Sequence, residues 1–140
     1  MGPMNETERQ AFLAEMHVGV IAIDDPNGDR APLAVPVWYS YEPGGEVAVI
    51  MSASSRKGRA IAAAGRFSIC AQQEALPYKY VMAEGPVVSE REGTYDDTLA
   101  MATRYLGTEM GRQYADANAG GGTIYSMRPE RWFSTDYTPD

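Results

Sequence analysis

Between two apolar, β-rich runs at residues 18–23 and 31–41 lies Asp24-Asp25-Pro26-Asn27-Gly28-Asp29, six consecutive residues that each disfavour continuing a strand. A turn of that length joins antiparallel neighbours, because parallel strands need a crossover of roughly a dozen residues or more. A hairpin therefore opens the sheet, and the rest of the chain must add to it. Pro43-Gly44-Gly45 turns the chain again before a third strand at 46–51. Residues 66–73 alternate Phe67, Ile69 and Ala71 against Ser68, Cys70 and Gln72, the pattern of a half-buried strand. A long strand follows at 77–91, with Gly85-Pro86 breaking or bulging it, and residues 123–127 and 131–134 make the last strand or strand pair. Pro36 inside the second strand marks an edge, an interruption or a bulge, since proline cannot donate to the ladder.

Helices are few and short. Asn5 with Glu8 three residues later is a capping-box start for a helix over 6–16 carrying Phe12, Leu13 and Met16 on one face, with His17 at its C-terminal end. The alanine-rich stretch at 55–65 predicts a helix stopped by Gly65. Tyr95, Leu99, Ala102 and Leu106 predict another over 94–106, and Gly107, Gly111 and Gly120-Gly121-Gly122 frame a second, polar helix or loop. Strands at hairpin spacing with short helices predict a mainly β protein, an antiparallel barrel with helical decoration. At 140 residues it is a single domain, 1–140, with residues 1–4 read as a possible cloning remnant and 135–140 as a tail.

The single Cys70 excludes an intramolecular disulfide framework and multi-cysteine metal sites, and the lone His17 removes His-paired metal sites. Cys70 itself reads as a small core residue. A net charge of -7 opposes binding to a phosphate backbone, so no nucleic-acid partner is expected. The chain has no apolar run long enough for a membrane span and no signal-peptide pattern, and a cytoplasmic location is expected.

One segment inverts the acidic average. Residues 47–73 contain no aspartate or glutamate, where 19 acids in 140 residues predict about four, and they hold Arg56, Lys57, Arg59 and Arg66. Ser52, Ala53, Ser54, Ser55, Arg56, Lys57, Gly58 and Arg59 fall where a strand ends and a helix begins. Helix first turns favour acids, because the macrodipole leaves roughly half a positive charge there. A bound anion reverses that preference, and free helix N–H groups, serine hydroxyls and an Arg-Lys pair together make a phosphate site. The same residues admit a plainer role, in which Ser54 or Ser55 caps the helix and the cations extend into water. Pro36-Val37-Trp38 offers a bulged strand and a large ring, for a flat ligand or for the core. Lys79, between Tyr78 and Tyr80, is either a second anion contact or an edge-strand guard. Glu90, Arg91 and Glu92 read as a solvated face. No residue pair stands out as acid and base, so any reaction relies on a cofactor for its hard step.

From about Glu8 to Phe133 the chain resembles the pyridoxamine 5'-phosphate oxidase-like superfamily of split β-barrels, and within it the actinobacterial flavin- and deazaflavin-dependent oxidoreductases. The resemblance is carried by Pro36-Val37-Trp38, Ser54-Ser55-Arg56-Lys57, Pro77-Tyr78-Lys79-Tyr80-Val81 and Glu84-Gly85-Pro86, in that order. It implies a homodimer with cofactor sites at the subunit interface. By position, Ser52, Ala53, Ser54, Arg56 and Lys57 hold the cofactor's phosphate, Pro36, Val37 and Trp38 line its ring, and Lys79, from the partner subunit, meets its tail. The implied coenzyme is F-420, a deazaflavin with a polyanionic tail, and the implied reaction is hydride transfer to an activated double bond of a small organic substrate. FMN is the alternative cofactor, and binding of flavin or haem without turnover is the alternative role. Tyr39 or a water is the candidate proton donor. Pyridoxamine-phosphate oxidases carry an Arg-x-His motif near the C-terminus. Here that region reads Arg128-Pro129-Glu130-Arg131-Trp132, which favours a reductase branch.

Overall fold

The computed structural model describes residues 1–118, 120 and 122–140. The described elements are α1 (Glu6–Ala14), β1 (Gly19–Ile23), β2 (Leu33–Val37), β3 (Val47–Met51), α2 (Arg56–Ala64), β4 (Arg66–Gln73), β5 (Lys79–Glu92), α3 (Tyr95–Leu106), α4 (Thr108–Asn118), β6 (Thr123–Met127) and β7 (Arg131–Asp136). All strand pairs are antiparallel, in the order β2-β1-β4-β5-β6-β3 with β7 on β5. The mainly antiparallel sheet curls on itself, the architecture of a split β-barrel. Ser40 and Ala48 exchange backbone hydrogen bonds at 3.0 Å, linking the chain just beyond β2 to β3.

The long strand β5 makes the curl possible. Its first half pairs with β4 and β7, its second with β6, and the register shifts between Val87 and Ser89. The bulge thus lies just beyond Gly85-Pro86, which stays in register with β4. Gly85 is required for a different reason. A Cβ there would run into the Arg128 carbonyl where the β6–β7 connection crosses over it.

Inside the barrel Ile21, Ile23, Val47, Val49, Ile69, Val81 and Met127 pack with Phe12 and Leu13 of α1 and Ile61 of α2. The alternation read for β4 holds, with Phe67, Ile69 and Ala71 buried. Cys70 is not core: it sits half-exposed on the outward face, because its neighbours in the alternation take the interior.

Several boundaries move. The first helix ends at Ala14, before Met16, because Glu15 turns to extended geometry. His17 lies past the helix, stacked on Phe12 at 4.4 Å with Nε2 donating to the Phe12 carbonyl. The second strand stops at Val37, so Trp38 falls just outside it. The last strand runs to Asp136, so Thr135 and Asp136 are sheet residues rather than tail: Thr135 pairs with Tyr80, and Asp136 with both Lys79 and Gly2. The polar segment after Gly107 is a helix. Of the Gly120–122 frame, Gly121 lies outside the described residues.

Candidate functional site

A cleft of about 610 Å³ opens between the barrel and the α3–α4 pair, within the size range of small-molecule sites. Its barrel wall is Val18, Pro36, Val37 and Trp38 beside β1 and β2, with Ile50, Met51 and Ser52 at the end of β3. Lys57 closes one end from the first turn of α2. The helical wall is Thr98, Met101, Tyr114 and Asn118, and Gly122 completes the rim. A Cβ on Gly122 would stand 2.7 Å from Ile50, so glycine keeps that rim open.

The α2 corner is built locally. Ser55 is the N-cap: its hydroxyl accepts from the Gly58 N–H at 3.1 Å and donates to the Ser52 carbonyl at 2.6 Å. Gly58 allows that fold-back, since a Cβ would strike the Ser52 carbonyl oxygen. The Ser52 and Ser54 hydroxyls lie 2.9 Å apart. At the head of the helix the Arg56 and Lys57 amides have no intrahelical acceptor, as for the first positions of any helix. Gly65 ends it in left-handed geometry, φ 69°.

The acid-free run does not stay uncompensated in space. Arg56 donates to Asp25 at 3.0 Å and Arg66 to Asp24 at 3.2 Å, so the acidic β1–β2 turn folds back onto two of the four cations. The Asn27 N–H and the Arg56 guanidinium hold the Asp25 carboxyl below its usual range. Among the described residues Lys57 has no ion-pair partner, and it is the cation that lines the cleft.

Pro36, Val37, Trp38, Ser52 and Lys57 therefore meet in one cleft, with Ala53 and Ser54 exposed in the adjoining loop. Arg56 is turned to Asp25, and Lys79 lies elsewhere, in a groove with Gln72, Tyr78, Tyr80 and Tyr137, 3.8 Å from Asp136. Tyr39 does not face the cleft. It is fully buried, burial pushes its pKa up, and its hydroxyl is directed to the Leu13 carbonyl at 2.7 Å, not into the cleft where a proton would be donated. The sequence places residues 107–122, with those around Trp38 and Tyr78, at the substrate pocket without ranking them, and it does not single out Thr98 or Met101 of α3. Tyr114 and Asn118 stand one turn apart on α4, a spacing visible in the chain, but only packing directs them to the cleft.

Trp38 is neither core nor free. Its ring is stacked on Tyr105 at 5.1 Å and 6°, with Tyr114 tilted against it at 5.2 Å, and the remaining edge borders the cleft.

No family model matches the chain. No curated protein matches it either. Solved structures do. The chain is similar to a conserved hypothetical protein, Rv2991 of Mycobacterium tuberculosis, at 21% identity, covering 96% of this chain and 86% of that one, with a TM-score of 0.77. It is similar to an F420 reductase at 18% identity, covering 89% and 94%, TM-score 0.72. A FAD-binding protein from Mesorhizobium loti is similar at 17% identity, covering 94% and 92%, TM-score 0.62. At such identities the likeness is one of fold.

Proposed function

We propose that the cleft between the barrel and the α3–α4 pair holds a flavin-type cofactor, and that the protein is an oxidoreductase, specifically a coenzyme F-420-dependent reductase acting on an activated double bond of a small organic substrate. The observation that carries the reading is the make-up of the cleft: Lys57 and Ser52 at the α2 corner share one lining with Pro36, Val37, Trp38, Ile50, Met51, Met101 and Tyr114. An anionic tail and a flat apolar ring need both kinds of surface in one cleft. Fold likeness to an F420 reductase and a FAD-binding protein supports the same class.

When bound, a reduced deazaflavin or flavin ring supplies a hydride equivalent. The chain's own residues bind and orient. Lys57, the α2 amides and Ser52 take the phosphate. Pro36 and Val37 present backbone to the ring, and Trp38 and Tyr114 exclude water beside it. The substrate would share the apolar part. Apart from Lys57 and Ser52, the side-chain polar groups of the lining among the described residues are those of Thr98, Asn118, Tyr114 and the Trp38 indole, none of them charged, which suits an uncharged planar molecule.

We further infer a homodimer. Across the outward face of the sheet, Pro36, Val20, Cys70, Met82 and Phe133 align in register over five strands, with Val20 41% and Phe133 61% exposed. A continuous apolar row starting at the cleft edge suits a self-complementary contact. Lys79 would reach a cofactor only from a second copy.

FMN is the second reading, and one observation favours it. With Arg56 and Arg66 engaged by Asp25 and Asp24, the cationic end of the cleft matches one phosphate better than a polyanionic tail.

Titration of the folded protein with F-420 and with FMN tests the proposal. Micromolar binding of either supports a flavin-type site, and the tighter partner selects the cofactor. Binding of neither sinks it, and binding without reduction of enones or quinones leaves a carrier rather than an enzyme.

A further inference from the structure

The helices α3 and α4 form a hairpin that lies over the cleft and is attached to the barrel in two different ways. One end is covalent. α3 follows β5 and α4 leads into β6, and Glu92 pairs with Thr123, so both tethers leave the sheet side by side. Tyr95 donates to Asp116 at 2.6 Å across this end. Nearer the other end a Cβ on Gly111 would stand 2.8 Å from the Thr103 backbone, so glycine lets the two helices touch there.

The far end, at Gly107, is held by side chains of two consecutive residues. The Tyr105 hydroxyl accepts from the Tyr39 N–H at 3.0 Å and donates to the His17 carbonyl at 2.6 Å, with the Tyr39 carbonyl at 3.0 Å as an alternative acceptor. Arg104 donates to the Ala14 and Glu15 carbonyls at 3.2 and 2.8 Å, at the C-terminal end of α1, which has no basic residue of its own in its last turn. The guanidinium lies 5.6 Å from the Tyr39 ring centre and 5.7 Å from that of Tyr105. Its Nε is buried with no hydrogen-bond partner among the described residues, so the attachment is incompletely satisfied. Between tether and attachment lie Thr98, Met101, Tyr114 and Asn118, the helical wall of the cleft. Trp38 is gripped by Tyr105 from α3 and by Tyr114 from α4.

We propose that Arg104 and Tyr105 are positioning residues that latch the free end of the hairpin to the barrel, set the orientation of Trp38, and so control the opening of the cleft. A wall tethered at one end and held at the other by polar and aromatic contacts opens locally, without unfolding the barrel. This goes beyond the cofactor reading, because the latch belongs to the ligand-free chain. Its consequence for ligand exchange rests on that reading.

The test uses the full chain with Trp132→Phe, which leaves Trp38 as the single indole reporter. Tyr105→Phe keeps the stacked ring and removes the hydroxyl, Arg104→Met keeps the apolar stem, and Arg112→Ala on the exposed side of α4 is the control. Without any cofactor, amide exchange across residues 95–118 should rise roughly fivefold to tenfold in Tyr105→Phe, as expected for losing a part-buried hydrogen bond, with strand amides unchanged. Acrylamide quenching of Trp38 should rise with it, and Arg112→Ala should alter neither. Unchanged hairpin exchange in both latch variants overturns the proposal, as does an equal rise in hairpin and strands. With FMN as probe, dissociation from Tyr105→Phe should quicken by a similar factor. If neither FMN nor F-420 binds the parent protein, the cofactor reading falls while the exchange result still decides the latch.

Discussion

The two walls of the cleft are made differently. The α2 corner is assembled from one continuous stretch, residues 51–65: strand end, serine cap, Gly58 where the loop folds back, and Gly65 at the stop. The helical wall depends on partners far away in the chain, with Arg104 reaching the Ala14 carbonyl 90 residues earlier and Tyr105 reaching Tyr39 66 residues earlier. On the proposed reading, local construction makes the α2 corner a fixed platform for an anion. Long-range attachment is what the proposed latch would release in the second wall. The comparison teaches that one cleft can take its affinity from one wall and its exchange kinetics from the other.

The largest effect should come from the platform. Lys57→Ala is expected to weaken FMN or F-420 binding by about 1.5–3 kcal/mol, the range for a charge-assisted hydrogen bond, with the melting temperature nearly unchanged. A lower melting temperature with unchanged affinity per folded molecule would make Lys57 structural and break the contrast. On the other wall, Gly111→Ala sets two effects against each other. Alanine gains up to about 1 kcal/mol of helix propensity, while a Cβ 2.8 Å from the Thr103 backbone costs about 1–3 kcal/mol. The clash should win, with net destabilisation in a denaturant melt and faster exchange across residues 95–118. A stabilised variant would mean the helices separate freely.

Asp97 gives the hairpin a pH dependence. Arg91 and the Thr94 N–H hold its carboxyl below the ordinary carboxylate range, and it completes the capping box of α3. Because the folded-state value is depressed, its contribution is full above about pH 4, the unfolded carboxylate range, and is lost as pH falls toward the folded value. Asp97→Asn should cost about 1 kcal/mol near neutral pH, in the range of a lost cap, and its acid-unfolding profile should be flatter below pH 4 than that of the parent. A profile parallel to the parent's would remove Asp97 as the source. The smallest effect is expected at Arg56. With its guanidinium committed to the Asp25 carboxylate rather than to the cleft, Arg56→Ala should change affinity by less than about 1 kcal/mol, the range of an ion pair with one solvent-exposed partner. An effect as large as that of Lys57→Ala would show that Arg56 leaves Asp25 for the ligand.

How much of this is legible in the sequence follows from the range of the interactions. The span of β4, the Ser55 cap and the Gly65 stop are set within one turn or one strand, and residues 66–73 are the strand that alternation predicts. Trp38 was legible as a candidate, although the choice between ring ligand and core had no local answer: its place depends on Tyr105 and Tyr114. Tyr39, adjacent to it, is indistinguishable as a type from an exposed phenol until the Leu13 carbonyl is seen to accept its hydrogen bond. The charge run was legible as composition. Its partial neutralisation was not, because Asp24 and Asp25 lie in the turn that opens the sheet, about 30 residues before Arg56.

By itself the sequence determined the order of the elements up to residue 106, the antiparallel opening of the sheet and a serine cap at the start of α2, since hydrophobic period, turn chemistry and capping act between near neighbours. Only the tertiary structure decided which cation lines the cleft, which aromatic rings grip Trp38, and that the α3–α4 hairpin forms a wall. Those outcomes depend on closing the barrel, which brings the turn after β1 to α2 and the end of α1 to Arg104, and no local rule encodes that distance.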